Sequence, residues 1–152
     1  MKWAEFEDEV ERLLIKYKIP YVREGVKISY GHKVRNGKYD FEIEKRHALE
    51  LKRIEKLNNL TLPGINTKTH KPYTNPMIKM HQLKALRAFK GVGWLLIHES
   101  NSNTCYALTM DDLTRFMIKG ETVPRTLKGI DEYLIDLEQF ILKLKEDQRW
   151  VH

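Results

Sequence analysis

A single cysteine, Cys105, excludes an intrachain disulfide and any cysteine-based zinc site. It falls in a short apolar stretch and reads as a small buried hydrophobe. The six histidines, at 32, 47, 70, 81, 98 and 152, show neither H-x₃-H nor H-E-x-x-H spacing, so a histidine metal motif is missing too. Neither a G-x-S-x-G nor a Walker A sequence occurs, which removes support for serine-hydrolase and P-loop NTPase readings. No apolar run approaches the roughly 20 residues of a membrane-spanning helix. The opening MKWAEFEDEVERLL is charged and helical in pattern rather than a secretory leader. Internal repeats and low-complexity tracts are also missing. These absences point to a cytoplasmic protein with no membrane partner.

What is present is charge. Lys and Arg number 27 against 21 Asp and Glu, a net +6 over 152 residues. That balance favours a polyanionic partner and says nothing about fold. The length fits one domain, 1–152, and the 41% apolar content suffices for a real core. Acids remain plentiful, so a local concentration of them is worth seeking.

Residues 2–17 set Trp3, Phe6, Val10, Leu13, Leu14 and Tyr17 at helical spacing, with Glu5, Glu9 and Lys16 opposite. Pro20 stops that helix, and Tyr21-Val22-Arg23 reads as a short strand that residues 26–30 extend. Gly31 to Gly37 reads as a turn region. From Tyr39 to Ile43 the pattern alternates, and Ala48 to Ile54 alternates again. Glu44–His47 would turn between them, without the Gly or Asn of a clean hairpin. Residues 57–76 read as one long loop, a length often tied to function. A helix is expected over 77–90, with Ile78, Gln82, Ala85, Leu86 and Phe89 on one stripe. Short strands follow at Trp94–Ile97 and Thr104–Leu108. Thr109-Met-Asp-Asp112 resembles a capping box, and a last helix is expected over Ile130–Lys145 with Ile130, Leu134, Leu137, Ile141 and Leu144 inward. The expected class is α/β, a mixed central sheet flanked by helices.

Asp40 and Glu50-Leu51-Lys52 lie on consecutive expected strands. Residues two apart on a strand point the same way, so Glu50 and Lys52 share a face that Asp40 joins if the strands pair. Two converging carboxylates suit a hard divalent cation, Mg²⁺ or alternatively Mn²⁺. Such a cation acidifies a bound water and neutralises charge on a phosphodiester, and Lys52 beside it would orient that water or stabilise the pentacovalent phosphate. The same alternation also occurs on a plain solvated strand face.

Further residues complete a pattern. Phe6-Glu7-Asp8-Glu9, Tyr39-Asp40-Phe41, Leu49-Glu50-Leu51-Lys52, His81-Gln82, Trp94-Leu95-Leu96-Ile97 and Tyr106–Leu113 follow in order over about residues 4–118. In this the chain resembles the PD-(D/E)xK nuclease superfamily, and within it is similar to RecU-like Holliday junction resolvases. The resemblance implies a restriction-endonuclease-like fold and hydrolytic cutting of four-way DNA junctions in recombination, repair or phage DNA processing. It also implies a homodimer, with Asp40, Glu50 and Gln82 lining the metal, Lys52 supporting the transition state and Glu7 at the edge of the site. A shifted register would put Glu42-Ile43-Glu44 in the E-x-K slot, but Glu44 then replaces the lysine. The loop at 57–76 would correspond to a segment entering the junction's centre.

For DNA contact the candidates are Lys33, Arg35, Lys68, Lys71, Lys79 and Arg87, with Lys84 and Lys90 on the same helix as the last two. Phosphate contacts of this kind make binding strongly salt-dependent. His81 is a further candidate for a phosphate or water contact. The alternatives are a nuclease of the same class acting on flaps, single strands or duplex sites, and a non-catalytic DNA-binding module.

Overall fold

The computed structural model describes residues 3–23, 26–29, 32–35, 39–57, 60–65, 68–73, 76–115 and 130–146. The first helix, α1 (Trp3–Lys16), buries Phe6, Val10, Leu13 and Leu14, the stripe its spacing predicts. It stops because Lys18 turns left-handed, at φ 55°. Ile19 N–H then reaches the Leu14 carbonyl at 2.9 Å and Lys18 N–H the Ile15 carbonyl at 3.1 Å. That pair of bonds is a Schellman ending, with Ile19 tucked back into the core and Pro20 barring continuation.

The strands β1 (Tyr21–Arg23), β4 (Phe41–Ile43), β5 (His47–Ile54), β6 (Val92–Glu99), β7 (Thr104–Thr109) and β8 (Leu134–Ile135) form one six-stranded sheet in the order β1-β4-β5-β6-β7-β8. Only β5 and β6 run parallel, joined through a crossover that contains α2 (Met80–Ala88). All other neighbours are antiparallel. The chain is therefore α/β, with a mixed and mostly antiparallel central sheet flanked by helices. Strands β2 (Val26–Ser29) and β3 (His32–Arg35) pair with each other as a separate hairpin, so residues 26–29 do not extend β1.

Each face of the sheet has its own core. Leu49 and Leu51 of β5 join Phe41, Trp94 and Leu96 beneath α1 and α4 (Leu137–Glu146). On the opposite face Ile54, Leu95, Ile97 and Leu108 pack with Leu83 of α2 and Leu113 of α3 (Met110–Thr114). Glu50 and Lys52 therefore look toward α2, among residues of the second core. α2 lies close to the sheet because a Cβ at Gly93 would meet the Leu86 carbonyl oxygen at 2.7 Å.

Two further expectations change. The described residues of the loop at 57–76 form no α-helix or strand, but its base is core: Leu57, Leu60 and Leu62, with Ile78 just beyond it, are buried against α2 and β6, while Ile65 and Pro72, joined by a bridge, are exposed. The expected last helix is three pieces, a 3₁₀ turn at Asp131–Tyr133, then β8, then α4. Asp136 restarts the helix by accepting the Gln139 N–H at 2.9 Å, while β8 pairs beside β7, leaving Leu134 exposed rather than inward. The turn between β4 and β5 does form without Gly or Asn, at the cost of positive φ at Glu44 (53°) and Lys45 (59°). The Thr109–Asp112 capping box forms as expected.

Candidate active site

Strand β5 outruns β4, and the site lies where β4 begins. The register Phe41↔Leu49 puts Asp40 opposite Glu50, one residue before β4 starts. Asp40 N–H still donates to the Leu49 carbonyl at 2.9 Å. Its carboxylate Oδ2 then accepts the Leu51 N–H at 2.7 Å, taking over from the ladder where the strand stops. This bond locks Asp40 beside Glu50.

Glu50 is 5% exposed on the α2 side of the sheet. Gln82 Nε2 donates to Glu50 Oε2 at 3.3 Å, and Gln82 Oε1 accepts the Lys79 N–H at 2.9 Å. Gln82 thus closes the first turn of α2 with its oxygen and reaches the site with its nitrogen. Its oxygen accepts that one hydrogen bond and keeps a second lone pair, while its nitrogen orients Glu50. Glu7, 7% exposed, comes from α1 and meets Asp40, while Arg23 Nη2 stands 3.6 Å from Glu7 Oε2.

Three carboxylates crowded out of water hold their protons tightly. Burial pushes Glu50 up to about 8, with the Asp40 charge adding to the rise and Lys52 opposing it. Burial likewise pushes Glu7 up to about 7, again with Asp40 adding and Arg23 opposing. Asp40 is raised by burial, against the Leu51 amide and the charge of Lys52. Clusters of this kind destabilise the fold unless a cation or protons neutralise them, so they mark candidate functional sites.

The donor set fits a hard divalent cation. Asp40 and Glu50 supply carboxylate oxygens, and Mg²⁺ typically takes one or two carboxylates while keeping several waters. Among the described residues no group of three or more His, Cys, Asp or Glu side chains is arranged to hold a metal ion. The fit is to a partly hydrated ion held on two carboxylates, with Glu7 reaching Asp40 from the far side.

All five residues expected at the centre, Glu7, Asp40, Glu50, Lys52 and Gln82, converge here. The basic residues expected on DNA do not join them. Lys68 and Lys71 are exposed on the loop tip, Arg87 is exposed on α2, and Lys79 is half-buried at the start of that helix. His81 is exposed on α2. The side chains of Lys33 and Arg35 lie outside the described part of the structure.

Arg23 escaped the sequence reading. It pairs with Asp8 at 3.0 Å and Glu11 at 2.9 Å as well as with Glu7, and its guanidinium lies 5.8 Å from the Phe41 ring centroid. Tyr21 adds a hydrogen bond to Glu11 at 2.7 Å. The signal was available: acids at 7, 8 and 11 crowd one side of a helix, and that side needs a cation. No protein-family model matches the chain, and a search of curated proteins finds no match.

Proposed function

We propose that this cluster is the active centre of a metal-dependent DNA endonuclease of the PD-(D/E)xK type, resembling the RecU-like resolvases and cutting four-way junctions as a homodimer. The observation that carries the reading is the enforced meeting of Glu7, Asp40 and Glu50 beside Lys52, with Glu7 and Glu50 pushed up to about 7 and 8. Carboxylates held this way gain most from a bound divalent cation, and Mg²⁺ or Mn²⁺ is the expected one. Such an ion supplies an acidified water and charge neutralisation at a phosphodiester.

The residues of the chain do the rest. Asp40, pinned by the Leu51 amide, offers a fixed oxygen. Gln82 holds Glu50 in line with it. Lys52, two residues along the same face of β5, is placed to stabilise negative charge that develops on the phosphate oxygens. The charge of +6 lies mostly outside the cluster and favours approach of a polyanion, with Lys68, Lys71 and Arg87 as exposed contacts. Two active sites on one junction would produce paired cuts, which a two-fold dimer supplies.

The test is cleavage of a labelled four-way junction beside matched duplex and flap DNA, with Mg²⁺, with chelator and with Asp40→Asn. Paired symmetric nicks in the junction, lost with chelator and in the variant, are expected. Cutting of all three substrates keeps the nuclease and removes the junction preference. The second reading, a non-catalytic DNA-binding module, is favoured by the lack, among the described residues, of three or more such side chains arranged to hold a metal ion. Tight binding without cutting in any metal would select it.

A further inference from the structure

On the other face of the sheet from Glu50 lies a groove of about 480 Å³ between α4 and the β7–β8 edge. Trp94 and Ala107 form its floor, and Ile135, Phe140 and Leu144 its walls. Trp94 and Phe140 meet edge to face, with ring centroids 5.0 Å apart. A volume of this size is in the range of specific ligand sites.

The rim carries the opposite charge to the protein as a whole. Among the described residues, Asp112, Glu132 and Asp136 border the groove against Lys143 and Arg115, the latter bonded to the lining Tyr133 at 2.9 Å, in a chain of net charge +6. Two of these acids are held in place. Asp112 accepts the Thr109 N–H and hydroxyl, each at 2.9 Å, and Asp136 accepts the Gln139 N–H at 2.9 Å. Their charges therefore stay at the rim.

One side of the groove is an open sheet edge. β8 ends the strand order and pairs only with β7, so the outer backbone groups of Leu134 and Ile135 have no strand partner among the described residues. Leu134 itself is 53% exposed. An extended chain added there places alternate side chains into the groove and against its rim.

We propose that this groove docks an extended peptide segment of a partner protein in which apolar residues alternate with Lys or Arg, added as a strand beside β8. The apolar side chains fill the Trp94–Phe140 groove, and the cations meet Asp112, Glu132 and Asp136. A second copy of this chain in a two-fold arrangement would oppose the same acids to one another, which the charge disfavours.

Capped hexapeptides titrated into the full chain, followed by NMR, test this. The probes are alternating Lys/Val, alternating Glu/Val and alternating Lys/Ser. Lys/Val is expected to shift the Trp94 indole and the Leu134–Ile135 amides saturably, while Glu/Val does not. Glu132→Lys, at an exposed position, should weaken Lys/Val binding roughly tenfold, and Ala107→Leu should fill the floor and weaken it too. Equal shifts from Lys/Val and Glu/Val, equal binding of Lys/Ser, or indifference to Glu132→Lys would each overturn the proposal. Shifts at these positions that depend on protein concentration alone would overturn it in favour of a second copy.

Discussion

Near the C-terminal end of α1, Glu138 lies 2.7 Å from Lys16 and accepts a hydrogen bond from Tyr17; near its N-terminal end, Glu7 lies against Asp40 with Arg23 3.6 Å away. Both places join a carboxylate to α1 and a cation, yet they titrate in opposite directions. The hydrogen bonds from Lys16 and then Tyr17 lower Glu138, which is exposed enough for water to share its charge. Burial and a second carboxylate raise Glu7, and Arg23 divides itself among Glu7, Asp8 and Glu11. The first is an ordinary surface pair that adds little stability. The second is a charge problem left unsolved by the fold, which is what a cation site requires.

Replacing the carboxylate at the centre should separate the two most sharply. Asp40→Asn keeps an oxygen for the Leu51 N–H but removes the shared charge. Metal-dependent cleavage should fall at least about 100-fold, while stability without metal at pH 8 should rise by about 1–2 kcal/mol. Cleavage assays and urea denaturation check the pair, and a variant that still cuts would place the site elsewhere.

The pH dependence comes next. Glu7 and Glu50 bind protons more tightly folded than unfolded, so their contribution is full below the unfolded value of 4.5 and is lost as pH rises through about 7 and 8. Because the two are coupled, the expected loss is about 3 kcal/mol in total between pH 5 and 8 in chelator, restored by Mg²⁺. Denaturant curves across that range measure it. A Glu7→Gln/Glu50→Gln double variant should flatten the profile; an unchanged slope would mean other groups cause it.

Gln82→Ala removes both the donor to Glu50 and the acceptor for the Lys79 N–H. We expect a loss of about 1 kcal/mol from α2 and a roughly 10- to 100-fold weaker Mn²⁺ affinity. Full Mn²⁺ affinity in a folded Gln82→Ala protein would show that Glu50 needs no such aim. The smallest effect belongs to the surface pair. Glu138→Gln should lower Tm slightly near neutral pH and not at all at acid pH, because the lowered carboxylate loses its contribution as pH falls through its titration.

Much of the site was legible because strand periodicity is rigid. Once Tyr39–Ile43 and Ala48–Ile54 read as neighbouring strands, alternation alone put Glu50 and Lys52 on one face. Glu7 and Gln82 were legible only through the family resemblance, since a helical acid and a stripe-breaking amide have commoner structural explanations. Which end of the Gln82 amide faces the site depends on the Lys79 N–H, and no pattern of residues encodes that. Arg23 was missed because its three partners lie on α1, whose placement over β1 is a packing result.

The last helix shows the same limit. Its apolar residues at 130, 134, 137, 141 and 144 have helical spacing, and Ile130, Ile141 and Leu144 are indeed buried. Yet the open edge of β7 takes Leu134 and Ile135 as a strand, because backbone pairing with a neighbouring strand outweighs a weak local preference. Likewise Leu57, Leu60 and Leu62 sit in a segment with no period, and only their packing with Leu83 of α2 and Leu95 and Ile97 of the sheet makes them core.

The sequence by itself determined the α/β class, α1, the alternation of β5, the capping box at Thr109 and the charge balance, all of which depend on residues close together along the chain. Tertiary structure alone decided the late start of β4, the crowding of Glu7 against Asp40, the division of Arg23 among three acids and the acid-rimmed groove beside β8. Each of these depends on desolvation and on distances between segments far apart in the chain, and a linear pattern contains neither quantity.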